Sequence, residues 1–110
     1  MLRESSTIVL SRNETWRGDS ATEPVEAGWA SEAVFFVRAL RTPVGAMPEV
    51  FVEISPDGMH WVREGASVTM PTQENGVALL RAVHFGNWLR LRSVLPEGSE
   101  CAVLVTLHLK

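Results

Sequence analysis

Hydrophobic and polar residues alternate most regularly in the middle of the chain, along EVFVEIS from Glu49 to Ser55. A period of two places every second side chain on one face of a β-strand, and that face here carries Val50, Val52 and Ile54. The SPDG tetrapeptide that follows predicts a tight reversal, because proline presets φ at the second turn position and Gly58 supplies the positive φ needed to leave the turn. The sequence therefore predicts a β-hairpin, with Trp61 beyond the turn covering its end.

Other apolar segments are bounded by glycine, proline or polar residues and also predict strands. They are Thr7–Leu10, Glu32–Arg41, Ser67–Met70, Val77–Phe85, the alternating residues around Leu89 and Leu91, and Cys101–Leu109. Two of these segments leave a helix open as the alternative. Ser31 is a suitable N-cap for a helix over Glu32–Arg41, and Val77–Phe85 has a composition that a helix also accepts.

Polar stretches separate the predicted strands. Ser11–Ala27 predicts a long loop with one short strand around Trp16, and Thr72–Gly76 and Pro96–Glu100 predict turns. Seven or eight short strands with turns about every 8–12 residues indicate an all-β fold, either an antiparallel β-sandwich of jelly-roll type or a small barrel. A length of 110 residues suits a single domain with its own core.

Two of the predicted strands are apolar on both faces. The second face of Cys101–Leu109 carries Ala102, Leu104, Thr106 and His108, and that of Glu32–Arg41 carries Val34, Phe36, Arg38 and Leu40. A strand of a sandwich normally shows one polar face to water. Either loops and the N-terminal segment cover these second faces, or a second subunit does, since soluble monomers seldom expose large apolar patches.

Two further strands carry opposite charges around aromatic residues. Glu49 and Glu53 flank Phe51, and two arginines follow Trp88. If these faces meet, within one sheet or across subunits, they form ion pairs around aromatic anchors; otherwise they are ordinary solvated faces. Arginine and aromatic residues are enriched at protein interfaces. We therefore predict contact residues at Phe36, Arg38, Phe51, Trp88, Arg90 and Arg92, with Leu104 and His108 as a second patch.

Composition narrows the classes of function. A net charge of −3 argues against a general nucleic-acid binder, which needs a concentrated cationic surface. The lone cysteine, Cys101, lies in an apolar run and is expected to be a buried hydrophobic residue. No secretory signal or apolar run of about 18 residues is recognisable. We expect a protein of the cytoplasm or of a particle assembled there, without a membrane span.

The chain shows no pattern of catalytic or ligand-binding residues. His60, His84 and His108 lack the spacing of metal ligands, and no glycine-rich nucleotide loop or nucleophile motif occurs, so we expect no metal, no cofactor and no enzymatic activity. The tripeptide RGD at Arg17–Asp19 matches a cell-adhesion motif, and NET at Asn13–Thr15 matches a glycosylation acceptor. Both motifs function only outside the cell. Carbohydrate binding is the one alternative, because exposed tryptophans stack on sugar rings and the chain has Trp16, Trp29, Trp61 and Trp88.

The segment PEVFVEISPDGMHW, followed by WLRLRSV, resembles a pattern of several β-sandwich groups. One is the discoidin-like carbohydrate- and lipid-binding domain, whose disulfide this chain lacks. Another is a set of small β-sandwich proteins from phage and prophage-like gene clusters, and the likeness extends over residues 46–109. The second resemblance implies a structural or decoration protein that oligomerises or coats a larger protein assembly. We therefore expect a non-catalytic homo-oligomer or assembly component, with a carbohydrate- or ligand-binding module as the alternative.

Overall fold

The computed structural model describes residues 5–110, which form nine β-strands. The strands are β1 (Ser6–Trp16), β2 (Asp19–Ala21), β3 (Val25–Glu26), β4 (Glu32–Ala39), β5 (Glu49–Ser55), β6 (Val62–Thr69), β7 (Val77–Val83), β8 (Trp88–Val94) and β9 (Cys101–Leu109). The first sheet has the order β1-β9-β4-β7 and the second has β2-β8-β5-β6, with β3 also pairing to β8. All the pairings are antiparallel. The predicted all-β sandwich is confirmed.

The core lies between the inner faces of the two sheets. Phe35 of β4 and Val105 of β9 face Val52 of β5 and Leu91 of β8, and all four are completely buried. Alternation along each strand places these residues inward, and burying a side chain of this size stabilises the fold by roughly 1.5–3 kcal/mol. No helix in residues 5–110 is both long and apolar enough to cross a membrane.

The predicted hairpin forms between β5 and β6, and its turn is organised by two side chains. Ser55 Oγ accepts hydrogen bonds from the backbone N–H groups of Asp57 and Gly58, at 3.2 and 2.9 Å. Asp57 Oδ1 accepts from the N–H groups of Met59 and His60, both at 2.8 Å. Gly58 has a φ of +79°, as the sequence predicts. These bonds satisfy the donors that the turn leaves outside the sheet.

The aromatic residue that packs against this turn comes from another strand. The nearest atoms to a Cβ built on Gly58 belong to Trp88 of β8, the first at 3.2 Å. Trp61 instead lies half-buried beneath Arg90, whose guanidinium carbon is 4.2 Å from its ring centroid. The strand order places Trp88 directly beside Ser55, so it reaches the hairpin end first.

The prediction of a long loop over Ser11–Ala27 is wrong. β1 runs on to Trp16, which is buried, and β2 and β3 follow it. The pairing of β1 with β9 shifts register twice, between Val9 and Ser11 and between Arg12 and Glu14. An edge strand with such bulges shows polar residues to water over most of its length, so its alternation is too weak to see in the sequence. The helical alternatives for Glu32–Arg41 and Val77–Phe85 are also excluded, since β4 and β7 occupy them.

Candidate protein-contact face

The predicted contact residues lie on the outer faces of both sheets, in a different grouping from the one expected. Phe36 and Arg38 of β4 share the outer face of the first sheet with Leu104 and His108, because β4 pairs with β9. The remaining four lie on the outer face of the second sheet, where β5 pairs with β8; they are Phe51, Trp88, Arg90 and Arg92. The expected second patch is therefore part of the first sheet's surface. We call these surfaces the apolar face (first sheet) and the charged face (second sheet).

The charged face is a ladder of ion pairs within one sheet. Arg90 contacts Glu53 Oε1 at 2.7 Å from both Nε and Nη2, and Arg92 reaches the other carboxylate oxygen at 3.5 Å. Arg92 also binds both carboxylate oxygens of Asp19 at 2.8 Å, and this hydrogen bonding lowers the pKa of Asp19. Of the two alternatives that the sequence left open for these strands, the structure shows ion pairs within one sheet.

Arginines of this ladder also cover the aromatic residues beside them. The guanidinium carbon of Arg63 lies 3.6 Å above the ring centroid of Phe51 and Nη1 of Arg63 contacts Glu49 at 2.7 Å. Phe51 and Glu53 are buried although they point outward from the sandwich. The charged face is thus covered largely by its own side chains, and its polar groups bind one another.

The apolar face has a different composition. Three neighbouring rows, from β1 across to β7, are Thr7–His108–Val34–Arg81, Val9–Thr106–Phe36–Leu79 and Arg12–Leu104–Arg38–Val77. Its middle is apolar, and Phe36 packs edge-on against His108 with ring centroids 5.3 Å apart. Among the paired residues of the described strands, this face carries three arginines, Arg12, Arg38 and Arg81, and one acid, Glu32. The whole chain, in contrast, has a net charge of −3.

Large side chains of this face are strongly exposed. The exposed fraction is 42% for Val9, 58% for Val77, 42% for Leu79 and 54% for Val83. Three of the four belong to β7 and were missed as contact residues from the sequence. VALLRAV is apolar at nearly every position, so the sequence does not distinguish its outward residues from its inward ones. Within residues 5–110, no loop covers these four side chains.

The four tryptophans have separate environments. Trp16 is buried, the ring of Trp61 is covered by Arg90, Trp88 packs near Gly58 and Trp29 is 50% exposed. Within residues 5–110, no group of three His, Cys, Asp or Glu side chains could hold a metal ion. His60 Nδ1 lies 2.6 Å from Asp57 Oδ2, so that pair belongs to the turn. Carbohydrate binding stays a prediction.

The comparisons with known proteins show the fold. No family model and no curated protein matches the sequence. The crystal structure of SPBc2 prophage-derived protein YomS superposes with a TM-score of 0.63 at 11% sequence identity, covering 96% of this chain and 92% of that chain. The structure of infectious bursal disease virus, Gx strain, gives a TM-score of 0.48 at 9% identity and covers 96% of this chain but 31% of that chain. This chain therefore shares its β-sandwich fold with a prophage-derived protein.

Proposed function

We propose that this protein is a non-catalytic assembly component that associates with copies of itself, and with a larger protein assembly, through the apolar face. The observation that carries the proposal is the contrast between the two outer surfaces. Glu53 and its arginines satisfy one another on the charged face. The apolar face exposes Val9, Leu79 and their neighbours. Apolar surface gains roughly 25 cal/mol for each Å² removed from water, so this face is the one that gains free energy from a partner.

Charge indicates which surface the face fits. Its arginines form a basic border around an apolar centre, while the chain as a whole is acidic. A contact of this face with an acidic region of a neighbouring copy or subunit pairs opposite charges at the border and buries the apolar centre. Contacts between two different surfaces build rings or extended layers, which suits a component of a particle. The fold shared with a prophage-derived protein and the phage-like resemblance of the mid-chain motif support a particle-associated setting.

Leu104→Glu tests the face without threatening the fold. Leu104 is half-buried between Arg12 and Arg38 in its row, so the isolated subunit accommodates a carboxylate there. The matched control is Val94→Glu, at an exposed position on the charged face. In sedimentation at micromolar concentrations we expect the unaltered protein and Val94→Glu to exceed the mass of one chain, and Leu104→Glu to fall to a lower mass.

Two results would overturn the proposal. One is an unaltered protein that sediments as a single chain at every concentration. The other is a Leu104→Glu variant, shown by circular dichroism to be folded, with the same mass as Val94→Glu.

A further inference from the structure

The four edge strands of the sandwich are protected to different extents. β1 is interrupted by two register shifts and carries Arg12, and β6 has a register shift against β5 and carries Arg63 and Glu64. At the fourth edge, β2 and β3 are only three and two residues long. Bulges, charges and shortness are the devices that prevent strands from pairing with other molecules. β7 pairs with β4 in unbroken register over seven residues, and its single charged residue is Arg81.

The hydrogen bonds beside β7 identify which of its backbone groups face the open edge. His84 donates to the Ser31 carbonyl at 3.0 Å, and Ala39 donates to the Gly76 carbonyl at 3.0 Å, both in the register of β4 and β7. Because hydrogen-bonded pairs alternate along an antiparallel ladder, the even-numbered residues between them bond to β4. The N–H and C=O groups of the odd-numbered residues point away from β4; these residues are Val77, Leu79, Arg81 and Val83.

The odd-numbered residues are also the exposed residues of the apolar face. A strand that pairs here therefore extends the apolar face sideways as well as completing the backbone bonds. Near Val77, a cleft of about 330 Å³ is lined by Val68–Gln73 and Gly76–Ala78.

We propose that β7 pairs antiparallel with β7 of a second copy about a two-fold axis at Leu80, which joins two first sheets into one eight-stranded sheet. In this register Val77 lies opposite Val83 of the second copy, and Leu79 lies opposite Arg81 of the second copy. All the outward backbone groups of β7 are then bonded. A shift of two residues in one direction puts Arg81 opposite Arg81 of the second copy, and in the other direction it leaves Val83 without an opposite residue in β7. A shift of one residue puts the outward side chains of one copy opposite the inward side chains of the other.

The size of the apolar face also favours two copies. Four strands of seven residues measure about 19 by 23 Å. The product of these two lengths is well below the roughly 800 Å² that each partner buries in a standard interface. Joining two copies at β7 doubles the width of the face to about 38 Å. The inference rests on the proposed function, since it names how two copies associate before the joined face meets a further partner.

Two double variants isolate this register by charge. Val77→Lys with Val83→Lys puts like charges opposite each other twice in the pair of copies, while Val77→Lys with Val83→Glu puts opposite charges there. Both variants replace the same two exposed valines. Both variants also carry Leu104→Glu, and sedimentation measures the association of two chains. We expect this association to be about tenfold weaker for the variant with two lysines than for the variant with lysine and glutamate. The first variant has less net negative charge, so general charge repulsion predicts the reverse order.

Disulfide trapping tests the same register by distance. With Cys101→Ala in every chain, Val77→Cys and Val83→Cys are prepared separately and mixed under mild oxidation. Opposed residues of a hydrogen-bonded pair have Cα atoms about 5.5 Å apart, within disulfide range, whereas two copies of residue 77 are about 20 Å apart along the strands. We expect cross-linked dimers in the mixture and single chains in each separate sample.

The outcomes distinguish the two proposals. An unaltered protein that is a single chain at all concentrations overturns both. An unaltered protein that oligomerises, while the two charge variants associate equally or the cysteine mixture stays uncross-linked, overturns the β7 pairing and leaves the proposed function standing.

Discussion

Arg90 holds Glu53 on the outer surface of the second sheet, with Nε and Nη2 both 2.7 Å from Oε1. The Glu53 side chain is only 6% exposed, although it points away from the core of the sandwich. Arg90 also lies over the ring of Trp61 and Arg92 reaches Glu53 from the other side, so side chains of neighbouring strands shield the carboxylate from water. A carboxylate in such a position depends on its partners, because water does not replace them.

We expect Glu53→Gln to lower the free energy of unfolding by about 2 kcal/mol. The substitution keeps the shape of the side chain but removes the charge that Arg90 and Arg92 share, and hydrogen bonds to charged groups contribute about 1.5–3 kcal/mol. Urea denaturation at pH 7 measures the change. Glu49→Gln is the control, since Glu49 and Arg63 form an exposed pair of the kind that contributes about 0–1 kcal/mol. Equal effects of the two substitutions would contradict the shielding of Glu53.

Gly58→Ala should lower the free energy of unfolding of the protein more than Gly98→Ala does. The two glycines have similar φ values, +79° and +86°, so both substitutions force alanine into the left-handed region. A Cβ at Gly58 meets Trp88 at 3.2 Å, whereas a Cβ at Gly98 has no atom within 4 Å. The expected difference is about 1 kcal/mol in the free energy of unfolding, the cost of displacing a packed side chain slightly. Identical thermal melting curves for the two variants would show that Trp88 does not constrain the turn.

The turn should also lose stability in acid through Asp57. The pKa of this carboxylate lies well below its usual range because the backbone N–H groups of His60 and Met59 donate to it, with further bonds from the side chains of His60 and Ser55. A pKa lowered by folding contributes stability above the unfolded value of about 3.9, and that contribution is lost as pH falls through the folded value.

Asp57→Asn keeps an oxygen acceptor at this position and removes the charge. We expect the unaltered protein to melt at a higher temperature than Asp57→Asn. This gap in melting temperature should be constant between pH 5 and pH 7. The gap should shrink as pH drops below about 4. A gap that stays the same down to pH 2.5 would show that the charge of Asp57 does not stabilise the turn.

Cys101 should be unreactive in the folded protein. Its side chain is buried beside Trp16 in the register of β1 and β9, and burial raises the pKa of the thiol. Both effects suppress the thiolate that reacts with disulfide reagents. We expect a thiol-specific reagent to label Cys101 only as fast as the protein unfolds, with full labelling in denaturant. Rapid labelling under native conditions would mean that the end of β1 opens readily.

Local features were predicted best. The hairpin over Glu49–Gly58 depends on residues that are neighbours in the chain, so alternation and turn chemistry were sufficient to identify it. The ion pairs between β5 and β8 were one of two alternatives left open, because the sequence places Glu53 and Arg90 on outward sides of regular strands but does not show that these strands are neighbours. The path of β1 was missed, since bulges and an exposed edge remove the periodicity on which the prediction depends.

The alternation of side chains and the turn residues of this sequence indicated by themselves an all-β fold of short antiparallel strands, each with an inward and an outward side. Only the tertiary structure decided how the outward residues are grouped: β4 pairs with β9, so Phe36 joins Leu104, while Phe51 joins Arg92 on the opposite side. It also placed β7 at an edge, with Val77 and Val83 exposed. The reason is physical, because side-chain direction follows from residue spacing within one strand, whereas neighbours across a sheet are set by strand order and register, to which residues from the whole chain contribute.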